Sequence, residues 1–217
     1  MTLSSVAISL LSLSVLSALA YGFHWLRAAP SVPRSAAKTL AIGSLAVLSF
    51  LLDGPWQLTI ALGLSAAGDF FLSRDGDKAF LAGLASFLAA HVAYVWIMTI
   101  VAGGYEAHRL DAATIVAVYA GLMLRWLWPH LGEMRGAVIA YVIAIYAMGV
   151  VAAGAPASLW PIWVGAALFV ASDSVLAAEL FPWREKPRRW TAPVIWSTYY
   201  AAQIFLAAAF LHTAFGA

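Results

Sequence analysis

The chain has no cysteine among its 217 residues. Disulfide bridges, thiolate catalysis and cysteine-ligated metal sites are therefore excluded. The absence does not identify a cellular compartment, because a membrane protein can dispense with cysteine in any of them.

Charged residues are also scarce, at 10% of the chain, whereas hydrophobic residues make up 64%. A soluble domain has roughly 25% charged and about 45–50% apolar residues, so this chain lacks the polar residues that would cover a surface in water. We therefore expect an integral membrane protein. The net charge of +2 comes from basic residues spread over short loops, without the basic stripe that binds nucleic acid, so no nucleic-acid partner is expected.

The charged residues fall in groups that divide the chain into eight apolar segments, each close to the about 20 residues that a spanning helix needs. Long apolar runs without ten-residue alternating segments favour helices over a membrane barrel. We predict an all-α bundle of eight transmembrane helices that forms a single transmembrane domain over 1–217. The helices are expected near 3–25, 37–53, 56–73, 79–102, 111–128, 136–154, 158–180 and 191–213.

The basic residues indicate the orientation of this bundle. Eleven of the twelve fall on one side of an eight-span protein, among them Arg34 and Lys38 in the expected loop between the first two helices; only Arg109 falls on the other side. Under the positive-inside rule these loops are cytoplasmic, so both the N-terminus and the C-terminus lie outside. A bacterial inner (cytoplasmic) membrane is the expected location.

Residues 1–20 resemble the apolar part of a signal peptide, but Met1 to Ser5 contains no Lys or Arg. We therefore expect a retained first helix. Cleavage would leave seven spans and the same orientation for the rest of the chain.

Two aspartates, Asp69 and Asp173, stand inside apolar segments, in Gly68-Asp69-Phe70-Phe71-Leu72 and Ser172-Asp173-Ser174-Val175-Leu176. A carboxylate at bilayer depth costs between about 2.5 and 17 kcal/mol, depending on how it is measured, so an intramembrane acid is a candidate functional residue. The alternative is a structural role, as a cap or as a hydrogen bond between helices. Two such acids favour a mechanism that uses two carboxyl groups.

Further polar residues share helix faces. Gly83, Phe87, His91 and Tyr94 stack on one face of the fourth helix; Trp196, Tyr199, Tyr200 and Gln203 do much the same on the eighth. A polar face in lipid must turn towards the bundle interior or a wet cavity. A lone Tyr or Gln also serves as a hydrogen bond between helices, and a lone His as a satisfied core residue, so these readings stay open.

Four motifs in order along the chain carry a resemblance: Gly68-Asp69-x-x-Leu72, Phe80-x-x-Gly83-x-x-x-Phe87-x-x-x-His91-x-x-Tyr94, Ser172-Asp173-x-x-Leu176-Ala177 and Tyr199-Tyr200-x-x-Gln203. Together they resemble the YhhN family of multispanning membrane proteins, whose animal members are lysoplasmalogenases. The resemblance implies hydrolysis of the vinyl-ether bond of a lysoplasmalogen, which releases a fatty aldehyde and a glycerophospho-alcohol. It puts these residues among the motif positions: Asp69, His91, Asp173, Tyr200 and Gln203.

Vinyl-ether hydrolysis fits a pair of acids and needs no metal or cofactor. Protonation of the distal vinyl carbon gives an oxocarbenium ion, as in a glycosidase, where one carboxylic acid donates the proton and a second carboxylate stabilises charge or activates water. Asp69 and Asp173 are the predicted pair, in an order that the sequence leaves open, and His91 is predicted to orient the water or shuttle a proton. The residues predicted to bind the lysophospholipid or ether-lipid substrate are Tyr94, Tyr199, Tyr200, Gln203 and Ser172.

Two other classes of protein share these features. Acids and a histidine that face a bundle interior also occur in proton-coupled transporters of small molecules or lipids, although no pair of Gly- or Pro-broken helices occupies corresponding positions here. A non-enzymatic lipid-binding protein would use the same polar residues to hold its helices together. Turnover of an ether lipid by purified protein separates the enzyme from both. The sequence carries no signal for the oligomeric state.

Overall fold

The computed structural model describes residues 3–102, 110–186 and 188–215, and these residues form eight α-helices and no β-strand. The all-α prediction is therefore confirmed for the described part of the chain. A π-helical turn, Tyr21–Trp25, continues the first helix. The helices are α1 Leu3–Ala20, α2 Val32–Leu51, α3 Trp56–Leu72, α4 Asp77–Ala102, α5 Leu110–Leu127, α6 Arg135–Ala153, α7 Trp160–Leu180 and α8 Thr191–Phe215.

Within the described residues, six segments are long and apolar enough to cross a membrane by length and composition: Leu3–Trp25, Val32–Leu51, Asp77–Ile100, Gly132–Ala153, Ala157–Leu180 and Thr191–Leu211. The helix α3 is apolar but shorter, with 17 residues. These helices support an integral membrane protein. The count of eight spans and the outside location of both termini stay predictions, and Arg109 and Ala217 lie outside the described residues.

The start of α2 differs from the sequence prediction. The helix begins at Val32, not at 37, because Ser31 caps it: the Arg34 backbone N–H donates to Ser31 Oγ at 3.4 Å. Pro33 stands in the first turn, where a backbone N–H has no helical partner to lose. The expectation that Arg34 and Lys38 lie between the first two helices is therefore wrong, although the predicted bounds 37–53 already contained Lys38: both residues belong to the first two turns of α2.

One compact unit consists of the described residues of 1–94 and 207–217. In it, α2 packs against both α1 and α3. The helices α3 and α4 approach closely at Gly68, where an added Cβ would stand 2.6 Å from ring atoms of Phe87. This contact brings the end of α3 that carries Asp69 against α4.

A second compact unit consists of the described residues of 95–206. Here α6 packs against α5 and α7. The helices α7 and α8 approach closely at Gly165, where an added Cβ would lie 2.7 Å from Leu206 Cγ and 3.2 Å from the Ala202 carbonyl oxygen. The helix that carries Asp173 is thus packed on both α6 and α8.

Candidate active site

Asp69 lies in the last turn of α3 and is paired with a lysine in the second turn of α2. The Asp69 side chain is 1% exposed, and its Oδ1 lies 3.1 Å from Lys38 Nζ on α2. A charge buried among apolar helices needs a partner of this kind, because an isolated ion in a low-dielectric interior is very costly. The neighbouring helices α2 and α3 therefore bring one carboxyl group and one basic side chain together.

The ends of α2 and α3 are held in register by a second basic residue. Arg34, one turn before Lys38, donates from Nε to the Trp25 carbonyl oxygen at 3.2 Å and from Nη1 to the Ser73 carbonyl oxygen at 3.0 Å. The buried ring of Tyr21 lies beside both cations, 5.8 Å from Lys38 Nζ and 5.9 Å from Arg34 Cζ. Cation–π contacts of this kind favour a fixed position for the lysine.

His91 belongs to the same unit as Asp69 and is fully buried on α4. Its Nδ1 lies 2.7 Å from the Phe87 carbonyl oxygen. Because a carbonyl oxygen only accepts, Nδ1 carries a proton and donates it in this contact, so Nε2 is the ring nitrogen that faces other groups. Tyr94, three residues further along α4, is also fully buried.

Asp173 lies on α7, two turns before the end of the helix, and is 9% exposed. The Tyr141 hydroxyl on α6 donates to Asp173 Oδ2 at 3.0 Å. The neighbouring Ser172 donates from its hydroxyl to the Ile195 carbonyl oxygen at 3.0 Å, which ties α7 to α8. The predicted substrate-binding residue Ser172 thus makes a backbone contact, while Asp173 is held by a tyrosine.

Aromatic rings surround the polar face of α8 in the second unit. Tyr199 meets Phe169 edge-on, with ring centroids 5.6 Å apart and planes at 82°. Tyr200 lies nearly parallel to Trp196, with centroids 6.1 Å apart and planes at 22°. Gln203, one turn further on, is fully buried. This face of α8 thus combines an amide with three aromatic rings.

The predicted site residues divide between the two units. Asp69, His91 and Tyr94 belong to the first unit, and the second contains the remaining five: Asp173, Ser172, Tyr199, Tyr200 and Gln203. Sequence reasoning missed the two partners of the aspartates, Lys38 and Tyr141. The Ser31 cap and Pro33 were the available signal that α2 begins early enough to place Lys38 well inside it, whereas Tyr141 is one of two tyrosines in an apolar helix and carries no signal of its own.

Two further features bear on what the site can bind. In the described part of the chain, no three His, Asp or Glu side chains come together as ligands for a metal ion. Ser65, one turn before Asp69 on α3, is fully buried, and its Oγ has no hydrogen-bond partner among the described residues. Such a hydroxyl suits a water molecule or a substrate oxygen.

The fold and these acids define a helical integral membrane protein with two carboxyl groups buried among apolar helices. The YhhN family model matches residues 33–210, and the chain belongs to that family. The resemblance read from the four motifs is therefore confirmed. No solved structure was found to match the chain.

Several curated relatives are named lysoplasmalogenases. A lysoplasmalogenase of Mycobacterium bovis is 37% identical over 161 residues, which cover 70% of this chain and 59% of the relative. Lysoplasmalogenase TMEM86A of Bos taurus is 32% identical over 171 residues, which cover 74% of this chain and 68% of the relative. Lysoplasmalogenase TMEM86B of Homo sapiens is 34% identical over 150 residues, which cover 67% of this chain and 59% of the relative. The matched region thus spans about three-fifths of the mycobacterial relative's length.

Proposed function

We propose that this protein hydrolyses the vinyl-ether bond of lysoplasmalogen-type lipids and releases a fatty aldehyde and a glycerophospho-alcohol. The observation that carries the proposal is a pair of aspartates buried in apolar helices, each held by a polar partner, in a chain whose relatives are named lysoplasmalogenases. An acid within the membrane costs free energy, so a function that uses the two acids explains their presence.

The reaction needs an acid and a group that handles water. Transfer of a proton to the distal vinyl carbon turns the double bond into an oxocarbenium ion, whose positive charge is shared by the ether oxygen and the carbon bonded to it. Water adds to that carbon and loses a proton, which leaves a hemiacetal. Collapse of the hemiacetal moves its hydroxyl proton to the glycerol oxygen, breaks the carbon–oxygen bond and forms the aldehyde.

Asp69 and Asp173 are the residues that we propose for proton transfer and charge stabilisation. A carboxylic acid and a carboxylate perform the same two tasks around the cationic transition state of glycoside hydrolysis. His91 has its Nδ1 proton engaged by the Phe87 carbonyl group, so Nε2 is the nitrogen that we propose to orient the water. The hydroxyl of Ser65, one turn from Asp69, has no hydrogen-bond partner in the described part of the chain and is a second group that suits this water.

The remaining predicted residues are proposed to bind the lipid. Tyr94, Tyr199, Tyr200 and Gln203 offer hydroxyl and amide groups to the glycerol or hemiacetal oxygens, and the apolar helices surround the alkenyl chain. Ser172 would contribute through its contact with α8, since its hydroxyl donates to the Ile195 carbonyl oxygen. These contacts position the substrate, and positioning alone supplies a large part of many catalytic effects.

Purified protein in detergent should convert a 1-alkenyl lysophospholipid to a fatty aldehyde, measured directly as the aldehyde product. The matched control is the 1-alkyl lysophospholipid with the same chain and head group. Its saturated ether has no vinyl carbon to protonate, so no turnover is expected. Absence of aldehyde from the alkenyl lipid, or equal cleavage of both lipids, would contradict the proposed reaction.

We further propose that the chain acts as a single membrane domain of eight spans in a bacterial inner membrane, with both termini outside. A reporter fused after Ala217 should then register as periplasmic, and one inserted in the 184–189 loop as cytoplasmic, because four basic residues mark that loop as inside. Fusions in a second loop, at 74–78, serve as a control and should match the 184–189 insertion. A cytoplasmic C-terminus would overturn the span count or the orientation.

A further inference from the structure

We propose that Lys38 is a positioning residue that holds Asp69 as a carboxylate, so that Asp69 accepts a proton from the attacking water and does not donate one to the vinyl ether. The inference rests on the proposed function and adds the role of each acid to it. Lys38 acts through Asp69, whose Oδ1 it contacts at 3.1 Å.

The exposed fractions of the Lys38 and Asp69 side chains differ, as a positioning role for Lys38 requires. The lysine side chain is 15% exposed and the aspartate 1%. A lysine near a helix end lays its apolar stem along the helix and keeps its ammonium close to the polar edge. A buried carboxylate has no such route to water and takes up a proton unless a cation lies beside it. The lysine therefore keeps a negative charge at a depth where the carboxylate would lose it alone.

The neighbouring side chains favour a position of the Lys38 ammonium group beside the Asp69 carboxyl group. Arg34, the other basic residue on this part of α2, has its guanidinium donating to two backbone carbonyl oxygens. The centroid of the Tyr21 ring lies 5.8 Å from the lysine ammonium. The two basic residues thus have separate tasks, since Arg34 ties helix ends together and Lys38 neutralises Asp69.

A charged Asp69 fits only one of the two acid–base roles. An ionised carboxylate stabilises the oxocarbenium ion and takes a proton from water, but it has no proton to give to the vinyl carbon. That proton then comes from Asp173, whose Oδ2 accepts a hydrogen bond from Tyr141. After the hemiacetal collapses, Asp69 releases the proton that it took up and Asp173 takes up one proton from solvent, which restores both groups.

Infrared difference spectroscopy tests the charge state without any substrate. The wild-type minus Asp69→Asn spectrum at neutral pH should contain the bands of an ionised carboxylate and lack the carbonyl stretch of a protonated carboxylic acid. In Lys38→Met, comparison with Lys38→Met/Asp69→Asn should instead show the protonated acid. A protonated Asp69 in the wild type would overturn the proposal, and so would an ionised Asp69 in Lys38→Met.

Kinetics test the consequence for catalysis. Lys38→Met should lower kcat by about 10² or more, the range for loss of an acid–base group, with little change in KM. Lys38→Arg should recover most of kcat, because arginine keeps the positive charge. The matched control Lys78→Met removes an exposed lysine at the start of α4 and should leave kcat unchanged. Equal kcat in Lys38→Met and the wild type would contradict the role.

The two proposals fail in different ways. If the wild type cleaves no vinyl ether, the proposed function fails, while the infrared spectra still report whether Lys38 holds Asp69 ionised. If the wild type is active but Asp69 is protonated, the vinyl-ether reaction stands and the assignment of roles is reversed. The wild-type and Asp69→Asn spectra do not depend on the folding of any lysine variant.

Discussion

Asp69→Asn and Asp173→Asn are each expected to lower kcat for vinyl-ether hydrolysis by about 10² to 10⁴, the usual range for loss of a general acid or base. Asparagine keeps the shape of aspartate but supplies neither a proton nor a negative charge. In Asp173→Asn the amide oxygen can still accept the hydrogen bond from Tyr141, and in Asp69→Asn a polar oxygen stays beside Lys38, so folding is expected to change much less than activity. Aldehyde release by the purified variants, with thermal unfolding in detergent as the check on folding, measures both.

The double variant Asp69→Asn/Asp173→Asn should be little worse than the worse of the two single variants, because residues that act as one catalytic unit are strongly non-additive. Asp75→Asn is the matched control, since Asp75 is an exposed carboxylate in the turn between α3 and α4. It should retain full activity. Turnover at the wild-type rate in both single variants would contradict a catalytic role for Asp69 and Asp173 and indicate a structural one. The proposed activity would then rest on the similarity to the relatives alone.

Helix positions followed from the sequence because lipid imposes a simple requirement. A spanning segment must be apolar and about 20 residues long, and the described helices end within a few residues of the predicted ones. The exception is α2, which begins at Val32 because the Ser31 cap and Pro33 start the helix before Arg34. The rule that charges mark loops fails there, because Lys38 has Asp69 as its partner inside the helix bundle.

The faces that the helices present to one another did not follow from the sequence. In a soluble protein an apolar stripe identifies the buried face of a helix. In a membrane protein the lipid is as apolar as the core, so helix association depends on packing and hydrogen bonds that leave no such stripe. The aspartates were found because a buried charge is costly, but their partners Lys38 and Tyr141 depend on how α2 meets α3 and how α6 meets α7.

The glycine beside Asp69 is expected to matter far more than another glycine on the same helix. Gly68→Ala places a Cβ 2.6 Å from Cδ2 and Cε2 of the Phe87 ring. The Phe87 side chain is only 7% exposed, so the ring would have to shift within a packed interior. Overpacking of this kind typically costs about 1–3 kcal/mol. The backbone carbonyl group of Phe87 also accepts the hydrogen bond from His91. Displacement of Phe87 is therefore expected to move His91 as well as the end of α3 that carries Asp69.

Gly63→Ala provides the comparison, because Gly63 is exposed on α3 and an added Cβ there meets nothing within 4 Å. Alanine stabilises a helix interior by roughly 0.5–1 kcal/mol relative to glycine when no clash opposes it, so Gly63→Ala should raise the thermal unfolding midpoint in detergent or leave it unchanged. Gly68→Ala should lower both the midpoint and kcat. Equal midpoints and equal turnover in the two variants would show that α3 and α4 tolerate a wider separation, and that the close approach at Gly68 does not position Asp69 or His91.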